Sequence, residues 1–416
     1  MKDKKNFLIE LKERNILNNI SNEGKFLNSK IDDKIYAGFD PTAISLHLGN
    51  YIQIATLKRF QKNGIKVIAI VGGATGLIGD PSFKNSERMM LDNEMLIKNK
   101  NAIVKQLKNF GLEVFDNYEI YKNMNVIDFL RDVGKNINIA YMLAKESIIT
   151  RIEKGLSFTE FTYQLIQAWD FKYLYSNFDV KGQLGGSDQW GNITSGIEMI
   201  KKVHGEDSNS FAITTNLLTD KNNVKFGKST GGGSLWLDPN LTSPYVLYQF
   251  LINQEDMEVE KLLKYLTFLD LEKIKNIMDE HNKESFKKIA QKALAYEVIK
   301  DIHGLEHVKN AIKISDILFN NEDFSFLTTS DLGQLEKAIP TFIASYEENL
   351  PDFLIKNKIV LSKREMREFI AKKALKINNF IIEDENTILL DKNKFDGKFS
   401  LLKKGKKNYY LIKFLN

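Results

Sequence analysis

An α/β fold on a parallel sheet is predicted by three features of this chain. Two short apolar, β-branched runs, Lys34–Phe39 and Lys66–Val71, are each bounded by Pro or Gly and read as buried strands. A helical stretch over 49–63 separates them, so strand, turn, helix and strand follow at the spacing of a βαβ unit. Glycine-rich turns follow the strands, at the carboxyl ends where open α/β sheets bind ligands.

The elements follow in order. Residues 1–14 are charged and helix-like, without the apolar core of a signal peptide. After the second strand a helix is expected over 86–110. The segment 111–175 is helical in pattern and reads as an insertion between two halves of the sheet. Further strands are expected at 180–184 and 211–218. From Ser243 to about Tyr346 only helices are expected, with apolar residues at helical spacing such as Leu262, Leu263, Leu266 and Leu269. The stretch 350–416 is basic, with a helix over 363–374 and strand-like pieces at 387–390 and 409–414. The expected division is a Rossmann-type domain over 1–240, an α-helical domain over 241–346 and a small α+β domain over 350–416.

Composition narrows the class. The 416 residues are 43% hydrophobic and 27% charged, with a net charge of +5, mildly basic and compatible with a nucleic-acid partner. There is no cysteine, which excludes disulfides and thiolate metal sites. The five histidines, His47, His204, His281, His303 and His307, show no metal-ligand spacing, so no protein-held metal is expected. No apolar run approaches the ~18 residues that span a membrane, and a cytoplasmic location is expected.

Two motifs suit phosphate. The first is PTAISLHLGN at 41–50, between a strand end and a helix start. A helix amino terminus offers free N–H groups and a positive dipole end. Gly38 and Gly49 allow close backbone approach, and Thr42 and His47 can add side-chain donors. The plainer reading of His47 is a helix cap. The second motif is KFGKS at 225–229, followed by Thr230 and three glycines. Two ammonium groups, Lys225 and Lys228, and the Ser229 hydroxyl suit the β- and γ-phosphates; the plainer reading is a solvated basic loop. Asn222 stands where a Walker A loop needs its first glycine.

Three further segments suit an amino acid and a nucleoside. GGATGLIGDPS at 72–82 departs from GxGxxG, which disfavours a dinucleotide, and its Asp80 can pair with an ammonium group. Lys84 and Arg88 follow, within reach of a leaving pyrophosphate or on a solvated helix face. Tyr163, Gln167 and Asp170 are spaced four and three apart and share one helix face among apolar neighbours. A phenol, an amide and a carboxylate in a dry pocket suit an amino acid. QLGGSDQWGN at 183–192 offers Asp188 to ribose hydroxyls.

Together and in this order the two phosphate motifs resemble the ATP signatures of class I aminoacyl-tRNA synthetases. Over nearly the whole chain the sequence resembles the bacterial tyrosyl-tRNA synthetases: YAGFDPT at 36–42, the 72–82 turn, FTEFTYQ at 158–164, the 183–192 segment, KFGKS and TSPY at 242–245. SKREMREFI at 362–370 resembles the helix of an S4 RNA-binding domain. The resemblance implies activation of L-tyrosine by ATP with Mg²⁺, transfer to tRNA(Tyr), and a homodimer with the inserted segment as interface. It implies that Tyr36 and Asp170 read the phenol and that Asp80, Tyr163 and Gln167 hold the ammonium. It also implies that Gly38, Asp40, Gly186, Asp188 and the backbone at Leu217 and Leu218 bind adenosine. Thr42, His47, Lys225, Lys228 and Ser229 would stabilise the phosphates, with Gly49 and Asn50 beside them. Lys363, Arg364, Arg367, Lys372 and Lys373 would contact RNA phosphates. Asn50 stands where the class pattern has His, and Ala37, Ile44 and Thr230 also depart from common choices. A non-catalytic RNA-binding paralogue and the sister enzyme for tryptophan are the alternatives; the intact His47, Lys225 and Lys228 argue against the first, Tyr36 and Asp170 against the second.

Overall fold

The computed structural model describes residues 3–79, 92–143, 145, 148–149, 152, 155–219, 226–227, 234–319, 324–345, 348–386, 395–405 and 408–414. Two compact units divide the chain: Met1–Leu237 with Glu255–Ala290, and Asp238–Gln254 with Gln291–Asn416.

The first unit is built on a six-stranded sheet of order β1-β6-β5-β2-β3-β4. Its strands are β1 (Leu17–Ile20), β2 (Lys34–Phe39), β3 (Lys66–Val71), β4 (Glu113–Asp116), β5 (Val180–Gly186) and β6 (Phe211–Thr215). All pair in parallel except β1, which runs antiparallel to β6. From β2 the chain builds outward to β3 and β4, then returns to β5 and β6 on the other side. The β2–β5 junction is therefore the switch point, where the carboxyl ends of the strands open a crevice. The predicted strands β2, β3, β5 and β6 are all present, although β6 ends at Thr215 and frees residues 216–218 from the sheet.

Two strands correct the sequence reading. β4 lies inside the segment read as helical, and β1 was not anticipated. Each is four residues long and lies at a sheet edge. Cross-strand pairing, invisible in a single-sequence pattern, decides such short runs.

Helices cover the sheet for legible reasons. Helix Leu48–Lys62 starts at His47 and ends where Gly64 (φ +81°) takes the left-handed conformation that closes a helix. Helix Asn93–Asn109 begins at the Asp92 cap, and residues 86–91 of the expected 86–110 helix lie outside the described residues. Ser157 caps helix Phe158–Asn177, whose residues Tyr163, Phe171 and Leu174 are buried.

The second unit holds helices Pro244–Ile252 and Leu305–Phe319 and a five-stranded sheet of order β7-β11-β10-β8-β9. Its strands are β7 (Thr341–Ala344), β8 (Leu375–Ile377), β9 (Phe380–Ile381), β10 (Phe399–Lys404) and β11 (Asn408–Phe414). The first of these corrects the expectation of helices alone up to residue 346: β7 pairs in parallel with β11. Buried Phe353, Leu354, Met366, Leu402 and Ile412 form the core around this sheet. Helix Lys363–Ala371 stops three residues short of the expected 374. Lys373 there adopts φ +50°, and the N–H groups of Lys373 and Ala374 close the last turn onto Ile370 and Phe369. The strand expected at 387–390 lies outside the described residues.

Candidate active site

A cavity of about 360 Å³ opens at the β2–β5 switch point. Gly38 and Phe39 from β2, Gly185 and Gly186 from β5, and Leu217 and Leu218 beyond β6 form part of its wall. Tyr36, Asp40, His47, Gly49, Asn50, Tyr163, Gln167, Asp170 and Asp188 also line it. Most of the predicted site is thus brought together from five separate stretches of sequence. Thr42 is not on the wall; it is exposed, and its N–H returns to the Asp40 carbonyl at 2.9 Å. Asp80, Lys84, Arg88, Lys225, Lys228 and Ser229 lie outside the described residues.

At one end of the cavity lies a buried phenol-and-carboxylate group. Asp170 Oδ1 accepts from Tyr121 Oη at 2.6 Å, and Oδ2 accepts from Asn117 Nδ2 at 2.9 Å. Burial raises the Asp170 carboxyl from the ordinary carboxylate range to about 7, against the pull of these two hydrogen bonds. Tyr36 Oη is buried and has no hydrogen-bond partner among the described residues. Burial, followed by the nearby Asp170 carboxylate, pushes its phenol well above the usual range. Gln183 Oε1, also on the cavity wall, is likewise buried without a partner. Unsatisfied buried polar atoms are costly, so this end is set up for a ligand with a hydroxyl able both to accept and to donate.

Asp40 joins two elements. Its Oδ2 accepts from Tyr163 Oη at 3.0 Å and its Oδ1 from Thr75 Oγ1 at 2.8 Å. Sequence reasoning placed Asp40 with the nucleoside and Tyr163 with the ammonium; here they are one hydrogen-bonded pair. A Cβ on Gly72 would stand 2.2 Å from both Asp40 Oδ1 and Thr75 Oγ1, so the pair needs a glycine there. Asn192 orients the amides, donating to Gln167 Oε1 at 3.1 Å and accepting from Gln164 at 2.9 Å.

At the other end, His47 caps its helix. Nδ1 accepts from the Asn50 N–H at 3.3 Å, and Asn50 Oδ1 accepts from the His47 N–H at 3.0 Å. An accepting Nδ1 leaves the imidazole proton on Nε2, a donor suited to phosphate. The plain cap and the phosphate donor are therefore compatible roles of one side chain. Gln106 fixes the preceding loop, donating to Ser45 Oγ at 2.8 Å and accepting from the Leu46 N–H at 2.9 Å.

Sequence reasoning missed Asn117, Tyr121, Gln183 and Thr75 as site residues. Asn117 directly follows β4, so recognising Val114 and Phe115 as a strand would have placed it at a strand's carboxyl end.

In the second unit, Lys363, Arg364, Arg367, Lys372 and Lys373 are all exposed. Two carry ion pairs: Arg367 forks onto Glu385 at 3.1–3.2 Å, and Arg364 lies 3.4 Å from Glu368.

Comparisons with known proteins bear on this geometry. A family described as "tRNA synthetases class I (W and Y)" matches residues 29–320. A "Tyrosine--tRNA ligase SYY-like C-terminal domain" matches residues 331–412. The tyrosine–tRNA ligase of Mycoplasmopsis synoviae (strain 53) is 54% identical over 407 residues, covering 98% of this chain and 98% of its own. The chain belongs to the tyrosyl-tRNA synthetase family. A second family member, from Mesomycoplasma hyopneumoniae (strain 7448), is 53% identical over 99% of both chains. The crystal structure of a C-terminally truncated Aspergillus nidulans mitochondrial tyrosyl-tRNA synthetase matches at TM-score 0.68 and 30% identity. That match covers 75% of this chain and 94% of the fungal one. Among the described residues, no helix is long and apolar enough to cross a membrane.

Proposed function

We infer that this chain activates L-tyrosine with ATP and transfers it to tRNA(Tyr). The observation that carries this reading is the unpartnered Tyr36 Oη beside the Asp170 carboxylate inside the cavity. A tyrosine hydroxyl entering there can accept from Tyr36 and donate to Asp170, satisfying the phenol that has no partner among the described residues. An indole N–H can donate but cannot accept, which disfavours tryptophan.

In this reading the tyrosine carboxylate attacks the α-phosphorus of ATP, forming tyrosyl-adenylate and expelling pyrophosphate. The 3′-terminal ribose hydroxyl of tRNA then attacks the carbonyl carbon, expelling AMP. Neither step needs a strong protein base, so positioning and charge stabilisation do most of the catalysis. Tyr163, Gln167 and Asp80 hold the ammonium, with Asp40 supporting Tyr163. Gly38, Gly186, Asp188 and the Leu217–Leu218 backbone hold the nucleoside. His47, Gly49, Asn50, Lys225, Lys228 and Ser229 stabilise the phosphates, with Mg²⁺ arriving as MgATP and Lys84 and Arg88 meeting the pyrophosphate. Thr42 is kept as a phosphate donor that needs its loop to turn inward.

The domain division expected from sequence, the RNA-contacting basic residues of the S4-like domain and a cytoplasmic location belong to the same proposal. So does a homodimer, supported by exposed Val126, Ile127, Leu130, Ile139 and Phe158 in the inserted segment. The test is amino-acid-dependent ATP–pyrophosphate exchange with each standard amino acid. Exchange with tyrosine alone is expected. Exchange with another amino acid would overturn the Tyr36 and Asp170 roles, and none at all would favour an RNA-binding paralogue.

A further inference from the structure

Helix Asp256–Leu266 comes late in the sequence yet packs within the same compact unit as the six-stranded sheet. Its carboxyl end is held by two buried cations. The Lys264 carbonyl accepts from Arg14 Nη1 at 3.3 Å and from Arg59 Nη2 at 3.1 Å. Arg59 also donates to the Thr267 carbonyl and stands 5.1 Å from the centroid of the Phe268 ring. A guanidinium at a helix carboxyl end meets unsatisfied carbonyls and the negative end of the dipole. Arg59 belongs to helix Leu48–Lys62, about three turns beyond His47, so the two helices are fixed to each other.

One turn earlier, Lys261 Nζ donates to the Thr219 carbonyl at 3.1 Å and pairs with Glu258 at 3.3 Å. Thr219 is the last described residue before the KFGKS motif. Beyond the motif the chain is tied to the start of helix Leu48–Lys62. The Leu48 N–H donates to the Leu235 carbonyl at 2.8 Å, and Trp236 bridges to His47. One stem of the second phosphate motif is thus bonded directly to the start of the helix that carries the first. The other stem is bonded to the motif itself, the Phe226 N–H donating to the Leu218 carbonyl at 2.9 Å, and Lys261 adds a hold on the next residue, Thr219.

We propose that Lys261 is a positioning residue for tyrosine activation, holding the Thr219 stem in register with His47. The proposal rests on the functional reading above. Lys261 is not on the cavity wall, so it acts through the backbone it holds. Its partner is a main-chain carbonyl, so any side chain placing a donor there would serve, and arginine can. Displacing a catalytic group by about 1 Å can cost on the order of 100-fold in rate. Because the lysine side chain is 34% exposed, water can replace part of the bond and a smaller loss is expected.

The test compares the full-length parent with Lys261→Met and Lys261→Arg in tyrosine-dependent exchange, tyrosine binding and thermal unfolding. Lys261→Met is expected to lower kcat about three- to tenfold while tyrosine affinity and melting temperature stay at parent values. Lys261→Arg is expected to recover most of the rate. An active parent with unchanged kcat in Lys261→Met would overturn this proposal alone. So would a loss that tracks melting temperature and is not rescued by arginine, since that marks a packing role. A folded parent with no exchange would overturn the functional reading and this proposal with it.

Discussion

Replacing Tyr36 by Phe removes one oxygen from the cavity wall and separates the site's stability from its specificity. That oxygen is buried and has no partner among the described residues, and leaving such a group unsatisfied costs about 1–3 kcal/mol. The Tyr36→Phe protein should therefore unfold no more easily than the parent, and up to about 1 kcal/mol less easily. With tyrosine bound the balance reverses. A neutral hydrogen bond is worth about 0.5–1.5 kcal/mol, so tyrosine affinity should fall roughly 2- to 12-fold. Phenylalanine gains instead, because it no longer strands a hydroxyl against its ring. Discrimination between the two amino acids should narrow by more than the tyrosine loss alone. The assay is kcat/KM for both amino acids in pyrophosphate exchange, beside chemical denaturation of the ligand-free protein. A loss of stability above about 1 kcal/mol would mean that Tyr36 has a partner before tyrosine binds. Unchanged discrimination would mean that the substrate hydroxyl lies elsewhere.

Asp170, raised to about 7, should make kcat/KM for tyrosine rise with pH through that value, since the carboxylate is the form that accepts the substrate hydroxyl. Because its folded-state value lies above that of an unfolded aspartate, stability should fall as pH rises from about 4 to about 7; Asp170→Asn should flatten both profiles, and an unaltered pH–rate profile would refute the assignment. His47→Ala should lose about 0.5–2 kcal/mol of stability with the cap as well as activity, whereas His47→Asn should restore the stability and not the activity; full activity in the Asn variant would reduce His47 to a cap. Gly38→Ala should fold normally, because a Cβ there meets nothing within 4 Å. Its methyl should raise the KM for ATP about tenfold without changing that for tyrosine, and equal effects on both would move the nucleoside away from β2.

The parallel core and most cavity-lining residues were legible in sequence because local pattern specifies them. β2 and β3 are continuous apolar runs, and Tyr163, Gln167 and Asp170 obey helical spacing. What escaped depends on partners far away in the chain. β4 has two apolar residues and is a strand only because β3 is beside it. With β4 went Asn117, and with Asn117 the fixed orientation of Asp170. The bond between Asp40 and Tyr163, 123 positions apart, likewise has no local signature. Lys261 reads in sequence as one more exposed helical lysine, since a main-chain carbonyl partner leaves no trace in residue type.

The parallel pairing of β7 with β11 has a kinetic consequence. Thr341 finds its partner Leu411 only about seventy residues later, with three other strands formed in between. During synthesis β7 must wait with its hydrogen-bonding edge open, and closing so long a loop is slow compared with forming the adjacent β10–β11 hairpin. Refolding of the second unit should therefore be limited by docking β7, and its unpaired edge is the place where a stalled or heated chain would begin to aggregate.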